Sequence, residues 1–272
     1  KVVLEPLTRK LEEKNPNAIA AAVTSKVAGV QMGSILSWLS SKVLGQYEAF
    51  TAEGTPGRLI LVAPNIVETE RRLAVDPHDF RLWVALHEVT HRTQFTAVPW
   101  MHDHVRSEIG ALLEATSLDD PSELVDRLKA IAGNLPRGGS LIEILQTPEQ
   151  RAVLDRVTAF MSLLEGHAEH VMDGVGPGVV PSVAEIRRKF DQRRKEHGGV
   201  LDRVLRKLLG MDLKALQYAE GKVFVDTAVR ELGMAGFNRV WESPATLPTR
   251  VEIRQPMDWV RRIADTPAAI TA

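Results

Sequence analysis

Asp76-Pro77-His78-Asp79-Phe80-Arg81-Leu82-Trp83-Val84-Ala85-Leu86-His87-Glu88-Val89-Thr90-His91 is the stretch on which the fold and the chemistry of this chain turn. Asp76 is a good N-cap, Pro77 suits the first helical position, and Asp79 puts a carboxylate among the unpaired N–H groups of the first turn. Phe80, Trp83, Val84, Leu86 and the later Phe95 keep the segment apolar at helical spacing, and Pro99 stops or bends it, so a mostly buried helix over 77–96 is expected. On that helix His87 and His91 lie one turn apart on a single face. Both can reach one metal ion, with Glu88 close to a water on that ion. The H-E-x-x-H pattern predicts the geometry of a zinc hydrolase; two core histidines bonded to carbonyls are the bland alternative.

The composition fits a soluble enzyme. With 272 residues and 44% hydrophobic content, the chain can bury a sizeable core, and one catalytic unit over 1–272 is expected. Its parts are an N-terminal helix and hairpin lobe (1–64), metal-site helices (65–197) and a C-terminal helical region (198–272). There are 34 basic and 35 acidic residues, a net charge of -1, so no global field argues for nucleic acid or an anionic membrane. The absence of cysteine excludes disulfides and restricts a zinc site to His and carboxylate ligands. A cytoplasmic location is the expectation, although a chain opening at Lys1-Val2-Val3 says little about leader segments.

Residues 18–44, rich in Ala, Gly, Ser and Val, predict a buried helix that begins near Asn15-Pro16 and is closed by Gly45. Lys26, Gln31 and Lys42 interrupt it, which leaves too short an apolar run to span a bilayer. Residues 46–51 and 58–62 flank a Gly/Pro turn and predict a small hairpin. Helices follow over 66–73, 77–96, 100–117, 121–132, 149–173, 182–197, 200–209 and 213–232, with short pieces near 238–241 and 256–264. Gly133–Ser140 is the expected loop. The fold class is therefore mainly α, with one small β-hairpin.

A catalytic zinc takes three protein ligands, so a third must come from elsewhere. Gln94 and Ala97 stand where a metzincin needs Gly and His, which excludes that class. Leu164-Glu165-Gly166-His167-Ala168-Glu169-His170 is the best source. Glu165 borders an apolar helical face formed by Val157, Phe160, Met161, Leu164, Ala168 and Val171, and a metal would compensate the burial of its charge. Gly166 would let this helix approach the His87/His91 helix, and Glu169 could accept the remaining N–H of a ligand imidazole. An amphipathic helix with solvated Glu165, Glu169, His167 and His170 is the alternative.

Together these segments resemble the gluzincins, whose third ligand is a glutamate. The blocks 75–91, 164–173 and 237–241 resemble more closely a bacterial zincin-like family, whose members are often labelled hydrolases associated with coenzyme F420 biosynthesis. The resemblance implies a zincin-like metallopeptidase fold; no flavin- or phosphate-binding motif supports F420 chemistry. It implies Zn²⁺ held by His87, His91 and Glu165, with Glu88 as general base acting on a peptide or protein substrate. For the oxyanion donor, which gluzincins draw from a Tyr or His after the third ligand, Tyr218 is the first candidate and His170 and His104 follow. A non-catalytic zincin-like interaction module is the alternative, and the presence of Glu88 argues for the enzyme.

Other motifs read as structural. The basic helix around Arg187-Arg188-Lys189, opened by Ser182-x-x-Glu185, is a solvated face, with no nucleic acid expected. His102 and His104 point to different sides of their helix and do not make a second metal site.

Overall fold

The computed structural model describes residues 33, 36, 37, 40–51, 57–116, 147–195 and 211–266. Strand β1 (Gly45–Glu48) pairs antiparallel with β2 (Arg58–Leu61), Gly45 facing Leu61 and Glu48 facing Arg58. The helices that follow are α1 (Ala63–Leu73), α2 (Pro77–Ala97), α3 (Met101–Thr116), α4 (Pro148–Val175), α5 (Val183–Lys195) and α6 (Met211–Phe237). Two 3-10 turns (Asn238–Trp241, Pro244–Thr246) then lead to α7 (Arg250–Arg254) and α8 (Pro256–Asp265). The protein is mainly helical with one small hairpin. Among the described residues no helix is long and apolar enough to cross a membrane.

Local signals set the two helices that matter most. For α2, the Asp76 side chain accepts from the Asp79 N–H at 3.0 Å, Pro77 occupies the first turn, and the chain leaves the helix at Val98, just before Pro99. Helix α4 opens with a capping box in which Thr147 and Gln150 satisfy each other's backbone N–H groups, and it closes at Gly176, φ 65°.

Helix α4 is the hub of the core. Ala159 and Leu163 pack with Phe224, Val225, Ala228, Phe237, Val240 and Trp259 from the C-terminal third. Phe160 and Leu164 pack with Val98 and Met101, and Met172 joins Phe80, Trp83, Val84 and Ile186. A helix that packs on several sides buries more than one stripe: Phe160, Leu164 and Ala168 of the expected face are buried, and further positions join them. Met161 is exposed, while Ala159, Leu163 and Met172 are buried.

Helix α2 is tied down at its N-terminal end by two side chains. Arg81 makes a two-pronged contact with the buried Glu70 of α1, at 2.9 and 2.6 Å. Asp79 accepts from both the backbone N–H and the hydroxyl of Ser182 at 2.8 and 2.7 Å, which seats the start of α5. Ser182 thus engages α2, and Glu185 reaches forward to Lys189 at 2.7 Å, a different arrangement from the local capping box that the sequence suggests.

Several boundaries move. Gly45 opens β1 rather than closing a helix, because its backbone is recruited to the ladder with Leu61. Strand β1 ends at Glu48, short of residue 51, and α1 starts at Ala63, with a proline in its first turn. Helix α6 resumes beyond residue 232 after a single non-helical residue, Gly233, φ 70°. The turn-rich C-terminal stretch contains the additional helix α7, opened by a Thr249/Glu252 capping box. The expected helices at 121–132 and 200–209, the loop Gly133–Ser140 and the helix start at Asn15-Pro16 lie outside the described residues.

Candidate metal centre

On α2 the two imidazoles meet edge to face, with His87 Nε2 and His91 Nε2 3.2 Å apart and ring centroids at 4.7 Å. Helix α4 crosses opposite them and delivers Glu165, whose Oε2 lies 3.6 Å from His87 Nε2 and 3.7 Å from His91 Nε2. The carboxylate distances are too long for hydrogen bonds. They suit donors arranged around a common centre, because a tetrahedral ion with bonds of about 2.0–2.2 Å sets its ligand atoms roughly 3.3–3.6 Å apart. Two imidazoles and one carboxylate are also a donor set of the catalytic zinc type. The residues fit a zinc ion.

The field within the cluster is mutual. Burial works against charge on Glu165, but the two imidazoles outweigh it and hold the carboxyl well below the usual glutamate range. Burial likewise opposes protonation of His91, and Glu165 more than compensates, so that imidazole is pushed up. Glu88 is 7% exposed, and burial raises its carboxyl above the ordinary value against the pull of His87 and His91.

A neighbour that the sequence reading missed covers Glu88. A Cβ placed on Gly45 would stand 2.6 Å from Glu88 Cγ and 2.8 Å from its Oε1. The bare backbone of β1 therefore lies directly on this carboxylate, and any larger residue at position 45 would have to displace the Glu88 side chain.

Gly166 opens a different contact from the one expected. A Cβ there would meet the carbonyl carbon and oxygen of Gly221 at 2.2 and 2.3 Å, and a Cβ on Gly221 would meet the carbonyl oxygen of Ser162 at 2.0 Å. The two glycines bring α4 against α6, not against the histidine helix. The approach of α4 to α2 runs instead through Gln94, a buried residue of α2. Its amide nitrogen donates to the carbonyl of Leu164 at 2.9 Å and lies 2.9 Å from His167 Nδ1, and its oxygen lies 2.9 Å from His91 Nδ1. The signal was present in the sequence as a polar residue three positions beyond His91, hence on the same helix side.

The remaining sequence candidates fall elsewhere. Glu169 lies one turn beyond Glu165, with its carboxylate 3.7 Å from Arg187 of α5, and the acceptor at His91 Nδ1 is Gln94. His170 is turned roughly 140° from Glu165 around α4, as five residues at 3.6 per turn require. Its Nδ1 pairs with Asp226 of α6 at 2.7 Å, and Asp226 also pairs with Lys222. His104 packs edge-on against Trp100 and Phe160, and burial lowers its pKa. Tyr218 stands on α6, but its side chain lies outside the described residues. His167 stacks on Phe237 at 5.6 Å, and burial, with His170 and His91 nearby, lowers its pKa to about 4. His102 turns to Phe50 and Phe95, away from His104. Asp76, His78 and Asp79 also lie close together, but Asp76 caps α2 and Asp79 is taken by Ser182.

A solved structure from Chloroflexus aurantiacus, described as "a putative hydrolase with a novel fold", is 34% identical to this chain, with a TM-score of 0.67. The alignment covers 98% of this chain and 76% of that one. No curated protein matches. The profile of the zincin-like metallopeptidases matches residues 1–260, nearly the whole length. This chain belongs to the zincin-like metallopeptidase family.

Proposed function

We propose that this protein is a zinc-dependent hydrolase of peptide bonds, in which His87, His91 and Glu165 hold the metal and Glu88 is the general base. The observation that carries the reading is the triangle of donor atoms with edges of 3.2, 3.6 and 3.7 Å, set beside a buried glutamate that follows the first histidine directly. A zinc ion held there would supply Lewis acidity for the scissile carbonyl and for the attacking water. Glu88 accepts the proton of the attacking water and returns it to the leaving amine, a task that suits a carboxylate shielded from solvent by the Gly45 backbone. His170 pairs with Asp226 on α6 and His104 packs in the aromatic cluster; Tyr218 is kept as the oxyanion donor on the sequence reading alone. Peptides or proteins are the expected substrates, and the description of the Chloroflexus aurantiacus protein agrees in reaction class.

The test is cleavage of a broad peptide library, read by mass spectrometry. Hydrolysis that disappears with a chelator and returns with zinc is expected. Cleavage that persists in full after the metal is stripped would contradict the mechanism.

A further inference from the structure

Gln94 connects the two helices that carry the site. Its side chain is almost wholly buried, and it has three polar neighbours, each at 2.9 Å: the carbonyl of Leu164, His167 Nδ1 and His91 Nδ1. One of these partners is chemically unambiguous. A backbone carbonyl can only accept, so the amide nitrogen of Gln94 must face Leu164. The amide oxygen then faces His91, and because it too can only accept, His91 Nδ1 must carry the hydrogen. A neutral His91 is thereby held with a bare Nε2, the atom that lies 3.2 Å from His87 Nε2 and 3.7 Å from Glu165. The second amide hydrogen goes to His167, whose Nδ1 must be the acceptor. Every polar atom of Gln94 is used, and no flipped arrangement satisfies the same partners.

The second consequence concerns distance. Leu164 immediately precedes Glu165, so the Gln94 amide grips α4 at the peptide bond beside the third candidate ligand. One side chain on α2 thus fixes both the proton position on His91 and the reach of Glu165 across the gap. We propose that Gln94 is the positioning residue of this centre, locking His91 in its metal-binding tautomer and docking α4 at ligand distance. The inference rests on the reading that His87, His91 and Glu165 bind zinc. Gln94 touches neither metal nor substrate in this account and is not a catalytic residue.

The effect expected is that of an outer partner of a ligand imidazole, a loss of about 10–100-fold in metal affinity. Zinc binding is measured by competition with a chromophoric chelator in wild type, Gln94→Leu and Gln94→Met. Methionine matches glutamine in length and flexibility, so it keeps the volume filled should leucine prevent folding. Both replacements are expected to weaken binding by that factor, because neither can accept from His91 or donate to Leu164. The ¹⁵N spectrum of metal-free wild type, at about pH 9 where imidazoles are neutral, should show His91 protonated on Nδ1. The same resonances should show a share of Nε2–H in the folded variants. A merely structural glutamine would lower the melting temperature and leave both the tautomer and the affinity unmoved.

The failures are distinguishable. Wild-type protein that binds no zinc overturns the metal reading itself. Wild type that binds zinc, with a folded Gln94 variant binding it equally well, overturns the role of Gln94 alone. Metal-free wild type with His91 protonated on Nε2 overturns it without any variant.

Discussion

Gly221→Ala is expected to lower stability by about 3 kcal/mol, the top of the usual range for overpacking. That corresponds to a fall of roughly 6–12 °C in melting temperature for a chain of this size. The added methyl group would stand 2.0 Å from the carbonyl oxygen of Ser162 and 2.8 Å from its carbon. Both obstacles are helix backbone, so no side chain can rotate away and α4 and α6 must separate. Gly166→Ala attacks the same contact from the other side, with Gly221 carbonyl atoms at 2.2 and 2.3 Å. Because one separation of the helices accommodates both methyl groups, the double variant should cost clearly less than the sum of the two. Helix α4 carries Glu165, so zinc affinity should fall together with stability. Thermal unfolding followed by circular dichroism checks the first effect. A melting temperature within about 2 °C of wild type for either single variant would show that the helices do not meet there.

Glu88→Gln should lower peptide hydrolysis by about 10²–10⁴-fold while the protein stays folded and retains its metal. Glutamine matches the shape of glutamate, so the contact beneath Gly45 survives, but the amide cannot accept the proton of the attacking water. Removing the base leaves the three candidate ligands intact. The expected signature is therefore a loss of turnover at constant zinc content. This variant also separates the enzyme from a non-catalytic zincin-like module, in which Glu88 has no chemical task and partner binding would ignore the change. Unaltered hydrolysis by a zinc-loaded Glu88→Gln protein would remove Glu88 from the mechanism.

The helix of His87 and His91 was legible because everything that defines it is local: a cap, a proline in the first turn, an apolar period and a proline beyond the end. The position of Glu165 at the border of an apolar face was legible for the same reason. What α4 packs against was not. A glycine in a helix announces a close approach without naming the neighbour, and Gly166 meets Gly221, 55 positions away, rather than the histidine helix. Periodicity placed Phe160, Leu164 and Ala168 in the core but put the exposed Met161 on that face and left out Leu163, because a hub helix buries more than one side. In the sequence Gln94 speaks only against a metzincin, since its partners Leu164 and His167 lie 70 and 73 positions away. Gly45 looked like a helix terminator, and only the pairing of β1 with β2 brings it onto Glu88. Local sequence carried the ligand-bearing helices; the residues that hold those helices together depend on tertiary contacts that no spacing rule encodes.

The central claim, that His87, His91 and Glu165 form one zinc site, is tested most directly by zinc content and zinc-edge X-ray absorption on wild type, His91→Ala and Glu165→Ala. The account predicts about one zinc per wild-type chain, with nitrogen and oxygen neighbours at about 2.0–2.2 Å and the scattering pattern of two imidazoles. His91→Ala should lose the metal, and Glu165→Ala should bind it more weakly, with one oxygen neighbour replaced. Full zinc occupancy in His91→Ala, or an unchanged absorption spectrum in Glu165→Ala, would contradict it.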